Sequence, residues 1–487
     1  MAVHAEPKDI PLPDDLSRIL RECSALSRAF VVGGGVRDAL LGHPVKDWDV
    51  EVYGHPFESL ADALRCFGRV DLVGRSFGVI KLTPSEGHTY DFSLPRRDSK
   101  TAPGHKGFIT TFDSELSLEE ATARRDFTLN ALMYDPRRQE ILDCHGGVAD
   151  LRNGILRHTS GAFVEDPLRV LRGMQFVGRF NLRPHPETVA LCETMRSSYR
   201  ELASERVREE WFKWASRSTK PSAGLAFLEA TGWIDHFPEI ARLRETRQDP
   251  EWHPEGDVFI HTQHCCDAMV ALPVWRDADE PSRIAWMLAI LCHDFAKPAT
   301  TREEMREGRL RIISPGHEEA GGPMAETFLS RINAPQEVVA RVVPLVTHHL
   351  AHLQTQTDRA IRRLANRLAP ETISGLSVVM SADCLGRPPR PAIIAPSITA
   401  LLHRAEELKL QNSGPKPLLL GRHLLALGMV PGRPVGELTR AGFEAQLEGE
   451  FQDLDGALKW LARHPDAPAK AREIRSAAEL PPTTAPS

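Results

Sequence analysis

An α+β fold is predicted, with a strand-containing head over residues 16–150 followed by helical domains, and three observations predict it. Short apolar runs of strand period alternate with helical ones over residues 16–150. Beyond Leu151 the apolar spacing becomes helical, and a polar stretch at 245–256 separates a first helical block from a histidine-rich one. At 487 residues the chain is too long for one core, so three or four domains are expected.

In order, Phe30-Val31-Val32 reads as a strand running into Gly33-Gly34-Gly35-Val36-Arg37-Asp38. The glycines permit a tight turn and close approach of backbone to a ligand before a helix over 36–41, with Arg37 on its first turn. After Leu40-Leu41-Gly42 comes Lys46-Asp47-Trp48-Asp49-Val50, where Trp48, Val50 and Val52 alternate with Asp47, Asp49 and Glu51. A strand there places both aspartates on one face. Two hard oxygen ligands side by side suit Mg²⁺ bound together with nucleotide phosphates. Residues 79–82 and 89–94 read as a hairpin carrying Asp91 on its second strand. Residues 95–112 are polar, with Arg96, Arg97, Lys100, Lys106 and two glycines, and are expected to form a mobile loop.

Arg124-Arg125-Asp126-Phe127 through Leu132 follows, then Glu165-Asp166-Pro167-Leu168-Arg169-Val170-Leu171-Arg172. Asp-Pro is an ordinary helix start, with Asp166 as cap. Spacing of three also lines up Asp166, Arg169 and Arg172 along one helical face. A carboxylate only accepts hydrogen bonds and a guanidinium only donates them. Cytosine and adenine present an amino donor beside a ring-nitrogen acceptor, whereas guanine and uracil present the reverse. An Asp-x-x-Arg pair can therefore accept C and A while repelling G and U, each good bidentate contact contributing about 1–3 kcal/mol of discrimination.

The Gly-Gly-x-Val-Arg-Asp turn, the Leu-Leu-Gly helix end and Lys-Asp-x-Asp together closely resemble the head domain of the tRNA nucleotidyltransferase and poly(A) polymerase family, within the polymerase-beta-like nucleotidyltransferases. Class II CCA-adding enzymes are resembled over the first 240 residues or so. The resemblance implies that Asp47 and Asp49 hold Mg²⁺, with Asp91 as a third carboxylate. It further implies that Gly34, Arg37 and Arg125 orient the triphosphate, that Asp166 and Arg169 choose the base with Arg172 in support, and that the 95–112 loop closes over a nucleotide. The implied activity is template-independent addition of C, C and A from CTP and ATP to the tRNA 3′ end, releasing pyrophosphate. One departure is Gln175, where many relatives carry a third arginine; it leaves room for addition of A alone or CC alone. A poly(A) polymerase on the same head is the nearest alternative. The block from Ser204-Glu205-Arg206-Val207 to Phe237-Pro238-Glu239-Ile240 is similar to the family's RNA-binding neck.

Further along, His261, His293-Asp294, His317, His348-His349 and Asp383 appear in that order. An adjacent His-Asp at the end of an apolar helix needs a partner or a metal if buried. The pattern resembles the HD phosphohydrolase superfamily, which implies one or two divalent cations held by His261, His293, Asp294, His317, His349 and Asp383, with His348 as the alternative to His349. Imidazole and carboxylate donors suit Ni²⁺, Mn²⁺, Fe or Co²⁺. A phosphodiesterase or phosphatase acting on damaged RNA ends fits such a fusion. An HD phosphohydrolase whose head merely binds RNA is the alternative from another class. The implied domains are a head at 16–150, a helical neck at 151–245, an HD domain at 255–390 and a helical tail at 391–480.

Composition bounds these readings. A hydrophobic fraction of 41% is ordinary for globular protein, and no apolar run reaches the length of a membrane span. Eight cysteines without a Cys-x-x-Cys spacing argue for reduced thiols, and Cys265-Cys266 reads as helix packing. With no basic-then-apolar leader, a cytoplasmic location is expected. A net charge of −6 does not advertise nucleic-acid binding, yet residues 121–220 hold 17 Lys/Arg against 13 Asp/Glu, where an RNA backbone is expected. No DNA partner is expected. Residues 481–487 are expected to be disordered.

Overall fold

The structure, a computed structural model, describes residues 4–72, 78–85, 87–100, 108–473 and 480; the tail expectation for 481–487 lies outside them. Two compact units divide the chain, Met1–Pro238 and Glu239–Ser487.

The first unit carries strands β1 (His4–Pro7), β2 (Ala29–Val32), β3 (Asp49–Val52), β4 (Gly68–Asp71), β5 (Val79–Pro84), β6 (Tyr90–Ser93), β7 (Arg96–Lys100), β8 (Phe108–Phe112), β9 (Met133–Asp135) and β10 (Glu140–Asp143). Eight of them form one sheet in the order β1-β10-β9-β2-β3-β6-β5-β4. Pairing is antiparallel except between β3 and β6, which run parallel with Asp49 opposite Asp91. The alternation along β3 sets its two faces: Val50 and Val52 enter a core with Leu16, Ile19, Leu60 and Leu64 from helices Asp14–Glu22 and Phe57–Leu64. The expected hairpin is β5–β6.

Residues 96–100 and 108–112 are strands rather than part of the expected loop. β7 and β8 pair antiparallel from Arg96↔Phe112 to Lys100↔Phe108. Phe108-Ile109-Thr110-Thr111-Phe112 is rich in β-branched and aromatic residues, and that preference prevails over the charged character of its partner. Residues 101–107, including Lys106, lie outside the described residues.

Helix Leu168–Phe180 packs on helices Ser204–Arg217 and Pro221–Ala230 around buried Trp211, Trp214 and Phe227. Gly224 permits this approach, because a Cβ there would lie 2.7 Å from the Met174 carbonyl oxygen.

In the second unit, helices Val258–Ala271, Glu280–Cys292, His317–Arg331, Gln336–Thr347 and Ile373–Leu385 pack together. A hairpin, Arg302–Arg306 with Arg309–Ile313, interrupts this helical region and was not foreseen. Helices Gly421–Ala426, Arg433–Glu448 and Leu454–Arg463 surround their own small core. Among the described residues no helix is long and apolar enough to cross a membrane.

Candidate active sites

The first site is a cavity of about 390 Å³ in the first unit, lined by Gly33, Gly34, Arg37, Asp49, Arg124, Arg125, Asp126, Asn130, Asp166, Arg169, Arg172 and Arg206. Of the anticipated residues, Gly34, Arg37, Asp49, Arg125, Asp166, Arg169 and Arg172 are on its wall, whereas Asp47 and Asp91 are not. Asp47 precedes β3 and is exposed. Asp91 faces Asp49 across the strand pair and lies 3.1 Å from Lys81 Nζ. Loss of hydration and then the Asp91 charge push the Asp49 carboxyl up, with Arg125 opposing them and Asp47 adding to the rise.

The turn from β2 into helix Gly34–Leu40 is held by Gly33 at φ +72°, a left-handed conformation that a side chain would strain. A Cβ there would also lie 2.9 Å from Arg125 Nη1. Gly33→Ala is therefore expected to displace Arg125 and lower kcat/KM for nucleotide by about tenfold, measured by steady-state kinetics on the folded variant.

Arg37 is buried in the cavity wall. Its Nη1 donates to Asn130 Oδ1 at 2.5 Å, its Nε to Asp38 Oδ1 at 2.8 Å, and its guanidinium carbon lies 5.2 and 4.8 Å from the rings of Phe176 and Phe180. Glu51, placed by alternation on the same face as the two aspartates, is buried: it accepts from Tyr53 Oη at 2.7 Å and Arg124 Nη2 at 3.3 Å, with Arg125 Nη2 at 3.6 Å. That carboxylate anchors both arginines at the cavity wall.

Asp166 caps its helix, accepting from the Leu168 N–H at 3.1 Å, and both its oxygens are engaged by Arg206, at 3.2 and 2.7 Å. Arg169 donates to the carbonyl oxygens of Ala162 at 2.7 Å and Arg124 at 2.5 Å, which fixes its plane. Arg172 donates through Nε to Asp126 Oδ2 at 2.7 Å and lies 3.8 Å from buried Glu210. Burial alone would raise the Asp126 carboxyl, but Arg172 and Asn130 hold it below the usual range. Gln175 is buried and is not part of the cavity wall.

Sequence reasoning missed Arg206 and Asp126 as parts of this site. Nothing local signals Arg206, whose partner is forty positions away in the chain. Asp126 lies inside a motif that had drawn attention only to Arg125.

A second cluster lies at a cavity of about 390 Å³ in the second unit, whose wall includes Asp294, His317, His349 and Asp383 but not His261 or His293. It gathers His261, His293, Asp294, His317, His349 and Asp383, all buried. His261 Nε2 lies 3.1 Å from Asp383 Oδ1, His293 Nε2 lies 3.1 Å from Asp294 Oδ2, and His317 Nε2 lies 3.3 Å from Asp294 Oδ1. His348 instead lines a separate groove with Arg363 and Arg367. The segment His253-Pro254-Glu255 also belongs to the site: Glu255 Oε1 lies 2.9 Å from His253 Nδ1 and 2.7 Å from His261 Nδ1. Although burial opposes it, these two histidines hold the Glu255 carboxyl down to about 2. Lys297 Nζ lies 2.8 Å from Asp294 Oδ2, and Arg387 Nη2 donates to Asp383 Oδ1 at 2.7 Å. Burial, with His293 and His317 nearby, pushes His349 down to about 3.

This donor set fits divalent cations. The buried atoms His293 Nε2, His349 Nε2 and both oxygens of Asp294 have no well-aligned hydrogen-bond partner, although charged neighbours are close. Asp294, His317 and His349 each offer one ligand atom within 4.8 Å of the others.

Known proteins align with this arrangement. Residues 29–157 match the poly(A) polymerase head domain family. The multifunctional CCA protein of Xylella fastidiosa (strain 9a5c) is 34% identical over 378 residues, covering 74% of this chain and 84% of its own. That of Nitrosococcus oceani is 35% identical over 368 residues, covering 74% and 84%. Such coverage exceeds what the first unit can supply alone, so the relationship extends into the second. Among solved structures, the Bacillus stearothermophilus CCA-adding enzyme in complex with CTP matches with a TM-score of 0.63 at 21% identity, over 91% of this chain and 95% of that one. The Thermotoga maritima CCA-adding enzyme complexed with tRNA matches at 0.58 and 19% identity, over 95% and 100%. At these identities the two structures establish a shared fold. By its curated relatives, this chain belongs to the multifunctional CCA protein family of CCA-adding tRNA nucleotidyltransferases.

Proposed function

We propose that the first unit adds C, C and A from CTP and ATP to the 3′ end of tRNA without a nucleic-acid template, releasing pyrophosphate, and that the second unit hydrolyses phosphate esters at RNA ends. One observation carries the first reading: a single cavity presents Asp49 together with the base-pairing donors and acceptors of Asp166 and Arg169. Reacting and selecting groups thus face one bound nucleotide. The proposed domains are a head at 16–150, a neck at 151–245, an HD domain at 255–390 and a tail at 391–480.

Asp47 and Asp49, with Asp91 opposite, would hold Mg²⁺, which when bound supplies Lewis acidity at the 3′-hydroxyl and the α-phosphate. The chain's own residues do the rest. Gly34, Arg37 and Arg125 orient the triphosphate at the turn. Asp166 accepts from the amino group of cytosine or adenine while Arg169 donates to the adjacent ring nitrogen. Arg172, anchored on Asp126, supports the wall behind them. In the second unit His261, His293, Asp294, His317, His349 and Asp383 would hold Ni²⁺, Mn²⁺, Fe or Co²⁺, whose bound chemistry is to activate water.

The test is product length with Mg²⁺ and tRNAs ending before C, after CC and after CCA. Addition of C, C and A followed by arrest is expected. Long A tails would establish the poly(A) polymerase alternative, and CC-only or A-only products a partial enzyme.

Arg206 grips both oxygens of Asp166 and so aims the carboxylate. Arg206→Ala is expected to lower the ratio of kcat/KM for CTP over UTP by about tenfold, in line with the loss of one oriented base contact. Competing CTP and UTP in single-turnover addition reads this directly. An unchanged ratio would show that Asp166 needs no such aim.

A further inference from the structure

Of the eight tryptophans in the chain, Trp252 is the one that is exposed. It is 51% exposed and lines the second unit's cavity together with Asp294, His317 and His349. Leu353, on the same wall, is 68% exposed, and Ile312 and Leu350 add apolar surface. A single exposed aromatic needs no explanation, but two large apolar side chains left open on the wall of a largely polar cavity do.

The turn that presents Trp252 is fixed. The buried Asp249 carboxylate accepts from the N–H groups of Glu251 at 3.1 Å and Ile312 at 3.3 Å and lies 2.9 Å from Arg311 Nε, which ties the turn to the hairpin carrying Ile312. The Asp249 carbonyl oxygen accepts from the N–H groups of Trp252 at 3.0 Å and His253 at 2.8 Å. Against the indole, the Arg390 guanidinium carbon lies 5.2 Å from the ring centroid, and its Nη2 donates to the Glu251 carbonyl oxygen at 2.7 Å. Arg390 is not on the cavity wall, so this cation backs the ring from outside and leaves the other face for a planar ligand. A volume of about 390 Å³ suits one nucleotide better than a stretch of chain.

We propose that Trp252, with Leu353 on the same wall, is the platform on which the terminal base of an RNA end stacks, and that it sets the second unit's preference for a nucleotide over a base-free phosphate ester. The proposal rests on the reading of that unit as a hydrolase of phosphate esters at RNA ends. Stacking uses the π-face that every base has, so it reads no sequence. It favours purines, whose two fused rings cover more of an indole than a pyrimidine ring does. Base and phosphate thus take separate parts of one cavity: the apolar rim holds the ring, and the carboxylates and imidazoles of the wall are left to the ester.

Binding is read first, on the full-length protein in chelator so that no ester is consumed. Adenosine 2′,3′-cyclic phosphate is expected to quench part of the tryptophan fluorescence of wild type, and Trp252→Leu should lose that part. The cytidine ester should bind there at least about threefold more weakly. With Ni²⁺ or Mn²⁺ supplied, wild type should prefer the adenosine ester in kcat/KM over methyl riboside 2,3-cyclic phosphate, which has the same ester and no base. Trp252→Leu should lose about tenfold of that preference through KM, and Trp252→Phe, which keeps an aromatic face, should retain most of it. Cytidine binding equal to or tighter than adenosine, an unchanged quench in Trp252→Leu, or a full preference for the base-bearing ester in that variant overturns the proposal and leaves the hydrolase reading standing. Quenching through Trp252 with no ester hydrolysed under either metal overturns the hydrolase reading and leaves the base platform.

Discussion

Replacing Asp49 by Ala is expected to slow nucleotide addition by at least about a thousandfold while tRNA binding stays within about twofold, since several kcal/mol of transition-state stabilisation pass through the carboxylates. Strand pairing sets Asp49 opposite Asp91, so two acidic groups meet; Lys81 pairs with Asp91, and the Arg125 and Lys81 charges offset the rise at Asp49 only in part. Repulsion from Asp91, added to dehydration, is what raises the Asp49 carboxyl. Ground that disfavours a bare carboxylate is ground that favours a bound divalent ion. Asp49→Asn keeps the shape and removes the charge, so it should be nearly as inactive as Asp49→Ala. Single-turnover addition and filter binding on the same preparations separate chemistry from RNA affinity. Retained addition in either variant would end the assignment of Asp49 as a catalytic ligand.

The elements legible in advance were those set by short-range pattern. Alternation places Val50 and Val52 in the core and exposes Asp49, and spacing of three brings Asp166, Arg169 and Arg172 to one cavity. Alternation gives the side of the sheet, however, and not what covers that side. Glu51 shares its face with Asp49 but is roofed by Tyr53 and Arg124, so it is buried. Arg206 was invisible for a related reason: its contact with Asp166 joins two helices whose approach depends on packing around Trp211 and Phe227. Arg37 is on the cavity wall as its place after the glycine turn suggests, but the turn does not reveal that Asn130, Asp38 and two phenylalanine rings hold it there. In the second unit, histidine and aspartate identities named the cluster. The helix end after Thr347 tells His348 and His349 apart by position: His349 is on the cavity wall and His348 is not.

Asp294→Ala is expected to abolish metal binding by the second unit and reduce the phosphohydrolase activity proposed for it at least about a thousandfold, with CCA addition within about twofold of wild type. Asp294 is 1% exposed and is approached by His293, His317 and Lys297. Alanine leaves the Lys297 ammonium buried without its carboxylate, a loss of about 3–5 kcal/mol for a pair of this kind. Asp294→Asn keeps the volume and an acceptor oxygen, so it separates loss of the ligand charge from loss of packing. Metal content by mass spectrometry and hydrolysis of an RNA 2′,3′-cyclic phosphate read the second unit. Addition to tRNA ending in CC reads the first, whose cavity is built wholly from residues before Pro238. Independent loss of hydrolysis would mean that one chain carries two separable chemistries. Loss of both activities in Asp294→Asn, with folding intact, would mean that nucleotide addition depends on the second metal centre, and the assignment of one activity to each unit would fall.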